Sequence, residues 1–165
     1  MLYNPLKSGN AIIKKNLKGS FMIEQDTIKL LRECDAGVKM GVKSIDDVLK
    51  YVKSEDFERT LTKCKKEHET LSREIQSELD EYHDDGKDPN PIAQGMSWMK
   101  TNMKLAMKES DKTIASLMTD GCNMGVKSLN RYLNEYKAAD EYSKDITKRL
   151  INLEEKLAVD IREYL

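Results

Sequence analysis

The sequence predicts an all-α four-helix bundle assembled from two copies of one helical hairpin. Three observations carry the prediction. Apolar residues recur at spacings of three and four, the helical period. Lys, Glu, Leu, Asp and Met are plentiful, while the 165 residues include 3 prolines and 2 phenylalanines, a helix former's composition. The string Met40-Gly41-Val42-Lys43-Ser44 also returns unchanged as Met124-Gly125-Val126-Lys127-Ser128, 84 residues later. That offset is a whole number of heptads, and fixed-period self-similarity is the signature of duplication. The match spreads outward through Gly37 and Gly121, Ile45 and Leu129, Leu49 and Leu133. With one inserted residue it reaches Leu61 and Ile146, and with a second, Leu71 and Leu157.

The elements follow in order. Residues 1–21 hold lysines at 7, 14, 15 and 18 around a short apolar run, Ala11 to Ile13. This run is too short for a secretory signal, so the segment reads as a basic, loosely packed leader, with regular patterning from Met22 onward. A single bundle domain over 22–165 is expected, with repeat one at 23–83, a connection at 84–105 and repeat two at 106–165. Ile28, Leu31, Val38, Val42, Ile45, Leu49 and Val52 form the stripe of a first helix near 23–53, interrupted only by Asp35. Ser54-Glu55-Asp56 then signals the start of a second helix near 55–83. Its stripe is Leu61, Cys64, His68, Leu71, Ile75 and Tyr82. Asp84 to Pro91 reads as a loop. A third helix near 92–135 carries Cys122, Val126, Leu129 and Leu133. A fourth near 138–165 carries Ile146, Leu150, Leu153, Leu157 and Ile161. The third is about fourteen residues longer than its match to the first, so the sequence allows an overhang, a separate base segment or a long crossover.

Composition narrows the function classes. The net charge of −1 lacks the basic excess of a nucleic-acid protein. No stretch approaches the roughly 20 apolar residues of a membrane span. Cys34, Cys64 and Cys122 are scattered and odd in number, so reduced thiols and a cytoplasmic setting are expected. No phosphate loop, nucleophile elbow, zinc-protease motif or calcium loop is present.

Three features remain. Gly37 and Gly41, with Gly121 and Gly125 at matched positions, interrupt helices where each glycine costs about 1 kcal/mol against Ala. They serve close packing inside the bundle, a homodimer contact, or a ligand notch. Asp35 and His68 break apolar stripes at similar heights on the first hairpin, so they read as a buried polar pair. The alternative reading is half of a metal site that also takes Glu69, Asp120 and Glu154, because carboxylates converging inside a bundle bind iron or manganese. Met96, Trp98, Met99, Met103 and Met107 form an amphipathic run that is either core or a surface for a partner helix or membrane.

The paired hairpins, and the strings Asp35 to Val42 and Asp120 to Val126, resemble the uncharacterised bacterial ferritin-like bundles. The resemblance covers residues 23–165. It implies a ferritin-like bundle and, in that superfamily's di-iron enzymes, Glu-x-x-His on two helices. Here Lys65 stands three residues before His68, and the fourth helix has no histidine. The expectation is therefore a non-catalytic bundle without cofactor, acting through protein–protein contacts, including a homodimer. The alternative is a di-metal carboxylate protein that binds or oxidises iron.

Overall fold

The computed structural model describes residues 5–89 and 110–165, with side chains from residue 16 onward. Among these residues the chain is an all-α four-helix bundle. Helix α1 spans Pro5–Leu49, α2 Glu55–Glu81, α3 Ser110–Glu135 and α4 Glu141–Asp160, with a closing 3-10 turn at Arg162–Tyr164. The methionine run at 96–107 lies outside the described residues. No described helix is long and apolar enough to cross a membrane.

The helices form where the apolar period demanded them. Leu31, Val38 and Ile45 of α1 are buried together with Leu61, Cys64, Leu71 and Ile75 of α2. The second hairpin adds Cys122 and Leu129 of α3 and Ile146, Leu150, Leu153, Leu157 and Ile161 at the end of the chain. Each fully buried side chain of this size stabilises by roughly 1.5–3 kcal/mol. At one end of the bundle Phe57 stacks on Tyr164, with ring centroids 4.4 Å apart.

One correction concerns the start of α1. The helix runs through Gly19 and Ser20 without a break, so residues 5–21 are helical and continue the first helix, which was expected to begin near 23. At about 1.5 Å per residue, its 45 residues span roughly 68 Å. Residues 16–25 are all exposed, and burial begins at Thr27. The N-terminal part of α1 therefore projects past the bundle as an arm.

Helices α1 and α4 each pack against the other three, leaving α2 and α3 at the far corners. The end contacts settle the topology. Asp111, at the start of α3, accepts hydrogen bonds from the backbone N–H groups of Lys53 (2.8 Å) and Ser54 (2.9 Å) in the α1–α2 turn. At the opposite end, Asp26 and Thr27 of α1 accept from the N–H groups of Ala138 and Asp140 in the α3–α4 turn. Helix α3 thus starts where α1 ends and runs antiparallel to it. Helix α2 finishes at the other end, so the end of α2 and the start of α3 lie at opposite ends of the bundle.

The helix starts have local causes. Ser54 caps α2 by accepting from Phe57 N–H, and Asp140 caps α4 by accepting from Ser143 N–H. These side chains satisfy N–H groups that a helix start leaves unpaired. Each turn is thus held once by its own cap and once by the other hairpin.

Asp111→Ala should cost about 1–2 kcal/mol, because two turn N–H groups lose a charged acceptor. Asp56→Ala, which removes an exposed ion pair with Arg59 and one of three acidic residues in the first turn of α2, should change stability by less than about 1 kcal/mol. Urea denaturation of the two variants checks the contrast.

Candidate functional site

Two buried polar centres lie in the bundle. Asp35 and His68 are 0% and 1% exposed, yet they do not pair with each other. The reason is helix register. His68 faces Gly41 across the α1–α2 hairpin. Asp35 lies six residues earlier on α1, about 9 Å away along the axis, opposite Gln76 near the end of α2.

His68 belongs to the first centre. Its Nδ1 lies 2.9 Å from the carbonyl oxygen of Cys64, one turn back on α2. That oxygen can only accept, so Nδ1 carries a proton. Its Nε2 lies 2.8 Å from Glu154 Oε1 on α4. With a carboxylate there, Nε2–H also donates, and the ring is an imidazolium. Burial alone opposes that charge most strongly. The side-chain hydrogen bonds to the Cys64 thiol, 3.5 Å from Nδ1, and to Glu154, with the carboxylate's charge, outweigh it and push His68 up to about 10. Cys122 of α3 borders the same carboxylate, and burial followed by the Glu154 charge raises its thiol. Residues of α2, α3 and α4 thus meet at one height.

The glycines make room for this pair. A Cβ at Gly41 would stand 2.6 Å from His68 Nε2 and 2.7 Å from Cδ2, closer than carbon can approach. At Gly125 the nearest atom is the Glu154 carboxyl carbon, 3.6 Å from a would-be Cβ. The imidazole therefore rests on bare α1 backbone, and the carboxylate lies along α3. Gly37 has only Leu150 nearby, at 3.7 Å, and Gly121 has nothing within 4 Å. Of the four glycines expected on one packing or dimer face, Gly41 alone is sterically obligatory inside the chain.

Asp35 anchors the second centre. Its Oδ1 accepts from Gln76 Nε2 at 2.7 Å, and its Oδ2 accepts from Lys87 N–H at 2.9 Å. Lys39 Nζ lies 2.9 Å from Oδ2. Gly86 adopts φ +80, a conformation that favours glycine, and a side chain there would strike Asp35. Around this carboxylate the loop after α2 is tied to α1, through Arg32 to Asp84, Lys87 to Glu33 and Lys39 to Asp88. Asp35 is thus an anchor for the loop.

The five residues of the metal alternative do not converge. Only His68 and Glu154 meet. Asp35 is taken by Gln76, Lys39 and Lys87, Glu69 sits at the surface beside Lys65, and Asp120 is exposed on α3. Each side chain is held at a different height or on another face. Among the described residues, no group of three or more His, Cys, Asp or Glu could hold a metal ion. The Glu154 contact was within reach of the sequence, because Glu154 stands near the position matching His68. The roles of Gln76 and of the Lys87 peptide carry no sequence signal.

The thiols are shielded. Cys34 lies 3.2 Å from Thr147 Oγ1. The Thr147 hydroxyl already donates to Ser143 O, so the thiol is the donor to it. Burial, partly offset by that bond, pushes Cys34 up to about 12. A thiol this far from ionisation is a poor nucleophile.

Gly41→Ala should destabilise by about 1–3 kcal/mol, since a ring bonded at both nitrogens cannot move aside without breaking a bond. Gly37→Ala, with ordinary contact only, should be neutral or stabilising by up to about 1 kcal/mol. In a His68→Ala background the penalty at position 41 should vanish. Thermal melts of these variants form the test.

The pH dependence has a definite sign. A histidine raised from 6.5 to about 10 on folding stabilises fully below 6.5 and loses that contribution as pH rises toward 10. Stability should therefore fall by about 2 kcal/mol between pH 6.5 and 8.5. Above about 9 the buried thiols add to the loss, because only the unfolded chain can ionise them. The double variant His68→Leu, Glu154→Leu should lose the fall below pH 8.5, measured by urea unfolding at each pH.

No protein-family model, no curated protein and no solved structure matches the chain.

Proposed function

We propose that this chain is a non-catalytic contact protein and that one of its partners is a second copy of itself. The observation that carries this reading is Gly121. It sits inside helix α3, exposed, with open space where a side chain would be. Glycine in a helix costs about 1 kcal/mol against Ala, and no described side chain needs the room. Met124, three residues on and on the same face, is 54% exposed. A notch beside a protruding, adaptable side chain is self-complementary across a two-fold axis, with each Met124 seated over the other copy's Gly121.

The interior supports the non-catalytic part. His68, Asp35 and Cys34 are each bound by other residues of the chain, so their hydrogen-bonding capacity holds helices together. Activated nucleophiles and bases instead sit in clefts that a substrate can reach. No cofactor enters this reading.

A duplicated, ferritin-like origin belongs to the same proposal. Gly41 and Gly125, 84 residues apart, both lie against a polar side chain of their own hairpin, His68 and Glu154. Thr27 and Asp111, also 84 apart, both accept from the turn of the other hairpin. An end-to-end crossover is the connection that ferritin-like bundles use.

Gly121→Leu in the full chain tests the contact. Sedimentation velocity at increasing concentration should show the wild type associating and the variant remaining monomeric, with unchanged helical circular dichroism. A wild type that stays monomeric, or a variant that associates equally well, refutes the homodimer. A variant that melts several degrees lower as a monomer would place the notch inside the fold.

A further inference from the structure

The arm of α1 is a separate feature, and it does not depend on the dimer reading. Residues 16–25 are exposed on every side. Leu17 is 65% exposed, Phe21 59%, Met22 52% and Ile23 47%. Four neighbouring apolar side chains left to water on one projecting helix need a partner. Leu17 and Phe21, four residues apart, share one face of the helix.

Charge identifies the partner. The first 23 residues contain Lys7, Lys14, Lys15 and Lys18 and no acidic residue at all. With four positive charges taken from a chain of net −1, the remainder stands at −5. The basic residues are also placed, not scattered. Lys7, Lys14 and Lys18 recur at seven and four residues, and Leu6, Ile13, Leu17 and Phe21 recur at seven, four and four. On the described part of this helix Lys18 stands beside the face that Leu17 and Phe21 share. Pairing with the arm of a second copy would set two segments of like charge side by side.

We propose that this arm docks on an anionic bilayer surface, lying in the interface with Leu17 and Phe21 in the acyl boundary and Lys18 among the headgroups. Helices of this kind bind by burying an apolar strip while lysines reach acidic lipids. The rest of α1 makes the arm a rigid extension of the bundle. Asp26 and Thr27 fasten the helix to the α3–α4 turn where it emerges, so the membrane would hold the bundle by one end of one helix.

The experiment is co-sedimentation of the full chain with sucrose-loaded vesicles. One set is pure phosphatidylcholine, and the other contains phosphatidylserine. The chain should bind the anionic vesicles at least about tenfold more tightly, and binding should weaken steeply with salt. Phe21→Glu and Lys18→Glu should each weaken binding severalfold while circular dichroism and melting stay as in the wild type. Three results would overturn the proposal. They are no binding to anionic vesicles at low salt, binding that ignores both substitutions, and association in lipid-free buffer that Phe21→Glu abolishes. The last would assign the arm to a second copy. Because Gly121→Leu is read without lipid and these variants leave α3 untouched, failure of one proposal is distinct from failure of the other.

Discussion

A charged imidazole in a hydrocarbon core is the constraint around which the bundle is arranged. An isolated buried ion is untenable, and a buried pair holds only when its geometry is good and its remaining protons are satisfied. His68 meets both conditions through the Cys64 carbonyl and the Glu154 carboxylate. Those bonds require α2 and α4 to keep one register, and they require α1 to present bare backbone at Gly41. Apolar stripes alone would tolerate a helix sliding by a turn, since one leucine replaces another at modest cost. A slip of one turn here would leave an imidazolium facing hydrocarbon. The pair therefore specifies the arrangement more than it adds to net stability.

The ends of the bundle repeat this logic with backbone donors. Each inter-helix turn offers N–H groups that its own hairpin does not satisfy, and each is satisfied from the other hairpin, by Asp111 at one end and by Asp26 and Thr27 at the other. The two hairpins are thus joined at both ends and in the middle by polar contacts with strict geometry, while the apolar core between them supplies most of the burial. Asp35 extends the scheme to the loop after α2, where a positive-φ glycine brings a peptide N–H onto a buried carboxylate.

This division leaves the inside of the molecule occupied with itself. At the surface two features among the described residues stand apart from ordinary solvated helix. One is the uncovered Gly121 of α3 beside the exposed Met124. The other is the arm of α1, cationic in a chain that is otherwise acidic.

The sequence by itself determined the fold class, because a three-four apolar period can be buried only by helices packed on one another. The same period placed Asp35 and His68 inside, since each occupies a position that faces the core. The tertiary structure decided what those residues do. Register across a hairpin depends on the turn: the six residues between Asp35 and Gly41 are about 9 Å along α1, enough to put Asp35 opposite Gln76 while His68 faces Gly41. Contacts between hairpins depend on how distant segments dock: the repeat offset put Glu154 near the position matching His68 without specifying their bond, and the bonds of Asp111 to the first turn carry no local signal. The early start of α1 was missed from sequence for a related reason. Gly19 and Ser20 are weak helix formers, yet α1 continues through them, because a helix anchored in a packed core can extend outward one hydrogen bond at a time without a new nucleus.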